Sequence, residues 1–367
     1  MKIAVFYSMD PTAGWCMGEG VVRTLRRMGH TVIPGPLPTA REAAPQMIQM
    51  VKDGAPKLEA LAACDAIIVS GPEHIAPWIN LVYTKYEWKQ IQVPKACWLH
   101  ESCQREDYSI DLDVLKWCGD EWFFPAVQDA EFHDQEMFAA GRSHWLPFGV
   151  DTEMFKPIAP NIRDDNAFWH KDFDIAFLGL LYPKRQQYLK ALSRHDHPPV
   201  RIGMCSVNDL HGYHLEDSIK LLVSNTRQIK CFLNLPAMSQ LLISKVYETL
   251  AVGTFLLTPM LSDNRGANRN MNHFKTGEHL IYYSASNLPY VAQLLREWIT
   301  PERDAERQKI SETGCREVHQ KHSLTVRLKE ILSVFSYASI DCNDGKQEPD
   351  SRPNSIHLAK VVPDGQE

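Results

Sequence analysis

The stretch KVYETLAVGTFLLTP, residues 245–259, decides the fold of this chain. Its first part has apolar residues at helical spacing, and the TFLLTP that follows Gly253 has the composition of a buried strand. A short helix that runs directly into an apolar strand is typical of a parallel sheet covered by helices. Glu248 is the exception, because it places a charge in a run that otherwise predicts burial.

Similar units occur along most of the chain. Apolar strand-like segments alternate with helix-like segments in both halves, beginning with KIAVFYS at residues 2–8. The later predicted strands include DIAFLGLL, VRIGMCS, KCFLNLP, TFLLTP and HLIYYS. This alternation predicts an α/β protein with two successive halves, and the carboxyl ends of their strands should face a common cleft.

The length and the loss of periodicity indicate where domains begin and end. A chain of 367 residues exceeds what one hydrophobic core usually serves. Between residues 146 and 173 the alternation gives way to proline, glycine and acidic residues. We therefore predict a first domain over 1–148, a linker over 149–172 and a second domain over 173–340, whose last helix crosses back, with a mobile polar tail over 341–367.

Composition restricts the class of protein. A formal charge of −6 with 23% charged residues is typical of a soluble globular protein, and it does not demand a nucleic-acid partner. The nine cysteines are odd in number and scattered, which favours reduced thiols. No apolar run reaches the length of a membrane span. These observations predict a cytoplasmic protein without a membrane span.

Two predicted strand ends carry groups that suit an anion. The loop SMDPTAGWCMGEG includes Gly14 and leads into a helix whose N-terminus could approach a phosphate, although a tight turn explains its glycines equally well. The segment FLGLLYPKRQQYLKAL places Gly179 at a strand end and Lys184 and Arg185 at the start of the next helix. Cations there oppose the helix dipole, so they either hold a diphosphate or are simply solvated at the surface.

A third strand end supplies a candidate base. The segment WLHESCQRED delivers His100 and Glu101 together to the predicted sheet edge. An imidazole or a carboxylate there could accept the proton of an attacking hydroxyl group. The alternative is a solvated loop that merely contains an acid and a histidine.

The remaining candidates each have a plain alternative. Lys245 and Glu248 are either an ion pair on an exposed helix face or a pair that grips a ligand. Arg265 follows the next strand, where it either contacts phosphate or solvates a loop. The aromatic stretch at 77–90 either stacks on a sugar or a base or packs internally. The acidic motifs DLD and DFD lack the context of a metal site, so no metal is expected.

The segments LPFGVDTEMFKP, DIAFLGLLYPKRQQYLKAL, CFLNLP, SKVYETLAVGTFLLTP and HFKTGEHLIYY come in the order found in GT-B glycosyltransferases. The C-terminal half most resembles the CgeB-like, group 1 branch of them. The resemblance implies two Rossmann-like domains, with an acceptor site in the first and a nucleotide-sugar site in the second. It assigns Glu248 to the donor ribose and Lys184 with Arg185 to the diphosphate. It implies no metal and no cofactor other than the donor itself.

One departure from the resemblance concerns the mechanism. Retaining relatives carry a glutamate eight positions before the ribose-binding one, where this chain has Gln240. Phage DNA β-glucosyltransferases have a similar helix and use an acid at the end of a first-domain strand, a place that Glu101 matches. The sequence therefore predicts a metal-independent, inverting transfer of a sugar to a hydroxyl group, with Glu101 as base.

The acceptor class is left open: a small molecule, a glycan, a protein or a modified nucleic acid. Three other functions also stay open. The chain could be a non-catalytic nucleotide-sugar-binding or structural GT-B protein, or a phage-type glycosyltransferase that acts on modified DNA bases. An epimerase that acts on the donor sugar has little support, since no additional acid pair is evident.

Overall fold

The computed structural model describes residues 1–8, 15–38, 45–101, 115–126, 141–157, 173–203, 215–237, 241–261, 271 and 273–341. Its strands form two separate parallel sheets, of six and five strands, one in each half of the chain. The predicted α/β fold class is confirmed.

The first sheet has the strand order β2-β1-β3-β4-β5-β6. Its strands are β1 (Lys2–Ser8), β2 (Thr31–Leu37), β3 (Ala66–Ser70), β4 (Lys95–Trp98), β5 (Glu121–Phe124) and β6 (Ser143–Trp145). The described helices of this half are α1 (Trp15–Arg27), α2 (Pro45–Gly54), α3 (Leu58–Ala62), α4 (Pro72–Val82) and α5 (Lys85–Gln90).

The second sheet has the order β11-β10-β9-β7-β8. Its strands are β7 (Phe173–Leu178), β8 (Arg201–Gly203), β9 (Ile229–Leu233), β10 (Phe255–Pro259) and β11 (Ile281–Tyr283). The described helices are α6 (Pro183–Leu192), α7 (Leu215–Arg227), α8 (Ser244–Ala251), α9 (Leu288–Trp298), α10 (Asp304–Lys321) and α11 (Leu324–Asp341), with a 3-10 turn at Pro301–Arg303.

In each sheet the order in which the chain adds strands reverses once, and ligands bind at this switch point. In the first sheet the first strand lies between the second and the third, and β7 lies between β8 and β9 in the same way. Connections then leave to opposite sides of the sheet, which opens a crevice at the carboxyl ends of the two central strands. Those ends are the places to look for a site.

Strand β1 shows why both faces of the first sheet are covered. Ile3, Val5 and Tyr7 belong to one apolar cluster, whereas Ala4 and Phe6 belong to another. Successive side chains of a strand point to opposite faces, so the strand joins two cores and has an apolar residue at almost every position.

The two halves are joined by more than the linker. Val150 forms an isolated parallel bridge with Ser323, just before α11. The Arg27 guanidinium of α1 lies 2.5 Å from the Asp151 carboxylate, which is almost fully buried. Helix α11 packs against α1. These contacts bring the C-terminal helix back to the first half, while the predicted domain boundaries stay predictions.

The aromatic stretch at 77–90 is largely internal packing. Trp78, Tyr83 and Trp88 are buried, and the rings of Tyr83 and Trp88 both contact Phe6 of β1. Tyr86 differs, since it is 73% exposed. Among the described residues, no helix combines the length and the apolarity that a bilayer crossing requires.

Candidate active site

A pocket of about 480 Å³ lies at the carboxyl end of the second sheet. Its walls come from the ends of β9, β10 and β11, from the start of α8 and from one side chain of α6. They include Lys184, Asn234, Pro236, Ile243, Val246, Thr258 and Ser286. A partly apolar pocket with a few polar groups at a sheet switch point is the usual form of a small-ligand site in this kind of fold.

Lys184 is the predicted donor-binding residue that lines this pocket. It lies in the first turn of α6, directly after Pro183, and its Nζ donates to the Ala237 carbonyl at 3.3 Å. Its amine is thus held beside the loop that follows β9. A positive charge at a helix N-terminus is well placed for a phosphate group.

Arg185 is used differently from what its sequence position suggests. It is 7% exposed, and its guanidinium donates to the Pro236 carbonyl at 3.2 Å and to the Leu180 carbonyl at 2.9 Å. The same group lies over the rings of Phe177 and Tyr182. Burial lowers the pKa of this guanidinium. Arg185 therefore ties the loop after β7 to the loop after β9, and its contact with a diphosphate stays a prediction.

Replacing Arg185 by lysine tests this tie. A lysine keeps the charge but cannot donate to both carbonyls from a planar group stacked on two rings, so we expect a loss of about 1–2 kcal/mol in the free energy of unfolding. Chemical denaturation measures the change. Arg194→Lys, at an exposed position just after the same helix, is the control. An equal free energy of unfolding in both variants would show that the carbonyl contacts do not stabilise the fold.

Gly179 lies between β7 and these cations. Its φ of +150° lies in the region that favours glycine, and a Cβ atom there would come within 3.0 Å of the Phe177 ring. The glycine thus permits the close turn that carries the chain from β7 toward α6. Its predicted approach to a donor stays a prediction.

Glu248 is buried, so the exposed ion pair offered as the plain alternative is wrong. Glu248 is 6% exposed, and its Oε2 lies 3.0 Å from the Lys245 Nζ. Residues 246–251 of α8 are all buried, because α10 covers this helix from the other side. Ile243 and Val246 belong to the pocket wall. Lys245 and Glu248 are not among the residues that line this pocket, because at about 100° per residue they lie on a different side of α8.

The first sheet carries the predicted base. His100 follows β4 and is 9% exposed, with its Nε2 at 2.9 Å from the Ser70 Oγ at the end of β3. Burial lowers the pKa of this imidazole to about 3, so it is neutral at ordinary pH and a weak proton acceptor. Glu101 is partly exposed at the same strand end. Of the predicted pair, Glu101 fits the task of a base better.

A row of rings runs from His100, just after β4, to Tyr247 of α8. The His100 ring lies 6.3 Å from the Phe148 ring, which lies 6.5 Å from the Tyr247 ring of α8. Tyr247 directly precedes Glu248 in the chain. The structure thus brings the predicted base and the predicted donor helix to the same region between the halves.

Residues 170–333 match the model of a family described as Glycosyl transferase-like. HepE of Anabaena in complex with UDP-glucose is similar in structure, with a TM-score of 0.61, 13% identity, and coverage of 92% of this chain and 100% of that one. The protein has the GT-B fold, and its C-terminal half is a glycosyltransferase domain. The predicted glycosyltransferase class is confirmed at this level.

Two further solved structures share the GT-B fold with this glycosyltransferase. Sucrose-phosphate synthase of Thermosynechococcus elongatus has a TM-score of 0.61 at 12% identity and covers 93% of this chain and 100% of its own. An alpha-glucosyltransferase in complex with UDP-glucose and DNA containing an abasic site has a TM-score of 0.60 at 12% identity, over 92% and 99%. No curated protein matches the chain. The CgeB-like assignment stays a prediction.

Several sequence predictions for this glycosyltransferase lie outside the described residues. They are Gly14, Arg265, Gln240 and the DLD motif at 111–113. Asp174 of the DFD motif is described, and it pairs with Lys230 at 3.0 Å. Within the described ranges, no group of three or more histidine, cysteine, aspartate or glutamate side chains could hold a metal ion.

Two polar residues of the pocket wall, Asn234 and Thr258, were not predicted from the sequence. The Asn234 Nδ2 donates to the Thr258 Oγ1 at 2.9 Å, and the Tyr283 hydroxyl donates to the Asn234 carbonyl at 2.5 Å. These contacts join the ends of β9, β10 and β11. Asn234 and Thr258 each stand at the end of an apolar strand segment, a signal that would have found them.

Proposed function

We propose that this glycosyltransferase moves a sugar from a nucleoside-diphosphate donor to a hydroxyl group of an acceptor. The observation that supports it most is the pocket at the ends of β9, β10 and β11, with Lys184 in its wall and α8 beside it. UDP-glucose is bound in the HepE structure, so UDP-sugars are the first donors to test.

The donor occupies the second half in this proposal. The diphosphate lies against the N-terminus of α6 and the Lys184 amine, which together offset its charge. The Glu248 carboxylate accepts hydrogen bonds from the ribose hydroxyls, and Lys245 orients that carboxylate through their 3.0 Å contact. No bound metal is required, because the chain supplies these positive groups itself.

Catalysis takes place across the cleft in the proposed mechanism. The acceptor hydroxyl gives its proton to the Glu101 carboxylate as its oxygen attacks the anomeric carbon. The bond from that carbon to the diphosphate oxygen breaks, and the nucleoside diphosphate leaves with the bonding electrons. Attack from the face opposite the leaving group inverts the configuration. His100, neutral because burial lowers its pKa to about 3, offers hydrogen bonds rather than charge.

The acceptor binds to the first half. A modified DNA base is one candidate, since one structural neighbour is an alpha-glucosyltransferase in complex with DNA. The formal charge of −6 gives this chain no overall attraction to a polyanion, which favours a small or uncharged acceptor. We propose a cytoplasmic location for the reaction.

A thermal-shift panel is the first test. UDP-, GDP-, ADP- and dTDP-sugars are added to the purified protein, and a ligand that binds the native state raises the melting temperature. We expect one UDP-sugar to give a clear shift, about 2.7 kcal/mol of stabilisation at one hundred times its Kd. Release of nucleoside diphosphate is then measured with sugar, protein and modified-DNA acceptors. Binding without release in every mixture would support the non-catalytic alternative.

A further inference from the structure

A second acid, Glu73, contacts the backbone of His100, the residue before the predicted base Glu101. The Glu73 side chain is 0% exposed and lies in the first turn of α4. Its Oε1 accepts a hydrogen bond from the backbone N–H of His100 at 2.6 Å. Its Oε2 is buried and has no hydrogen-bond partner among the described residues. A carboxyl group is expensive to bury, so its place at this strand end requires an explanation.

The turn between β3 and α4 explains how the acid reaches this place. Gly71 has a φ of +73°, and its N–H donates to the Trp98 carbonyl at 2.8 Å. A Cβ atom on Gly71 would lie 3.1 Å from the His100 Nδ1. The turn therefore wraps around the end of β4. Ser70 holds the His100 ring from one side, while Glu73 holds the His100 backbone from the other.

The charged and titratable neighbours define the state of Glu73. Burial and, to a smaller extent, the negative charge of Glu101 raise the pKa of this carboxyl, whereas the amides of Glu73, His100 and Glu101 lower it, and the net result is a pKa of about 8. The His74 Nε2 lies 3.7 Å from the Glu73 Oε1. Burial raises the pKa of the Cys97 thiol of β4, and this thiol is close enough to Glu73 to interact with it electrostatically. At neutral pH Glu73 is therefore a protonated acid next to the partly exposed Glu101.

We propose that Glu73 is a positioning residue that anchors the peptide between His100 and Glu101 and so fixes the Glu101 carboxylate at the cleft. This inference rests on the proposed function, in which Glu101 is the base. As a neutral acid Glu73 accepts the amide hydrogen bond without adding a second negative charge beside Glu101. A displacement of the base by about 1 Å can remove most of its contribution to the rate, so a contact that fixes its position supports catalysis.

The first test follows the anchoring contact itself and needs no substrate. In 15N-labelled protein, the His100 amide proton should move downfield as Glu73 ionises, because a carboxylate accepts a stronger hydrogen bond than a neutral acid. We expect a step with a midpoint near pH 8 in the wild type, the pKa of Glu73. The step should vanish in Glu73→Gln. A wild-type amide without this step, or a step that survives in the variant, overturns the anchor.

A matched control lies at the other end of the same strand. The Asp120 Oδ2 accepts the N–H of Lys95 at 2.9 Å, where β4 begins. Asp120→Asn changes a carboxylate–amide contact of the same kind, far from the predicted base. The His100 step should be unchanged in this variant.

The second test separates positioning from packing. Glutamine and leucine both fill the space of Glu73, but only glutamine can accept the His100 amide. With the UDP-sugar that the panel selects, Glu73→Leu should lower kcat about tenfold and leave the donor KM within about twofold, whereas Glu73→Gln should turn over like the wild type at pH 7. Equal losses in the two variants, or wild-type turnover in Glu73→Leu, would overturn the positioning role.

Measuring Glu101→Gln beside Glu73→Leu separates this inference from the proposed function. If Glu101→Gln keeps full turnover, Glu101 is not the base, and the catalytic purpose of the Glu73 anchor falls with it. If Glu101→Gln is inactive while Glu73→Leu is fully active, the proposed function stands and the positioning role is wrong.

Discussion

Glu101→Gln should lower turnover by roughly 10²- to 10⁴-fold, the usual contribution of a general base. Glutamine keeps the size and the polarity of Glu101 but cannot accept a proton from the attacking hydroxyl. The donor pocket belongs to the other sheet, so the affinity for the donor should stay within about twofold. The measurement pairs the rate of nucleoside-diphosphate release with the Kd of the donor from calorimetry.

Glu59→Gln is a suitable control, because Glu59 is an exposed glutamate of α3 in the same half of the chain. Its turnover should equal that of the wild type. Wild-type turnover in Glu101→Gln would remove Glu101 from the mechanism. The neutral His100 would not be an easy replacement, since burial lowers its pKa to about 3.

The strands were the predictable part of the fold. β1 and β3 lie in the middle of the first sheet and are buried along almost their whole length, so each appears in the sequence as a continuous apolar run. β6 escaped prediction because it has three residues and only partly buried side chains after Ser143. Its pairing with β5 provides the order that its sequence does not encode.

Helix α4 shows how local signals mislead. The Gly71–Pro72 pair indicates a turn, and Pro77 inside the segment argues against a helix. The structure nevertheless has a helix over Pro72–Val82, in which Ile75, Ile79 and Trp78 are buried. Packing of this apolar face on the sheet outweighs the local cost, as tertiary contacts often do. Glu73, in the first turn of this helix, was not among the predicted site residues.

The position of the site could be predicted from the sequence, but the contacts of its side chains could not. Polar residues after apolar strands led to Lys184, His100 and Glu101, because ligands collect at the carboxyl ends of parallel strands. The same rule could not foresee that Arg185 would be buried against the carbonyls of Leu180 and Pro236. That contact depends on two loops that are distant in sequence, and no spacing along one helix encodes it.

The burial of Glu248 could not be predicted from the sequence of its own helix either. Periodicity predicts one buried face for α8, yet every residue from Val246 to Ala251 is buried. The reason is α10, whose Cys315 and His319 side chains donate to the Ala251 carbonyl at the end of α8. The sequence pattern of α8 does not reveal that α10 covers it. Because Glu248 is buried, its charge needs an explanation that an exposed glutamate would not need.

Glu248→Gln should weaken donor binding by roughly 10- to 100-fold. A carboxylate can accept hydrogen bonds from both ribose hydroxyls, and a hydrogen bond to a charged group contributes about 1.5–3 kcal/mol. Glutamine has the same shape but only one acceptor oxygen and no charge. The affinity is measured by calorimetry with the UDP-sugar that the thermal-shift panel selects, and the free energy of unfolding is measured in parallel.

The control is a salt bridge of the same length between two strands of the second sheet, β7 and β9. The Lys230 Nζ is 3.0 Å from the Asp174 Oδ1, as the Lys245 Nζ is from the Glu248 Oε2. Asp174→Asn should leave donor affinity unchanged. Glu248 is also buried with its lysine, so its substitution has some cost in stability in either case. What distinguishes a ribose ligand is a loss of affinity that exceeds the loss of stability, and the reverse order would make the pair a structural contact of α8.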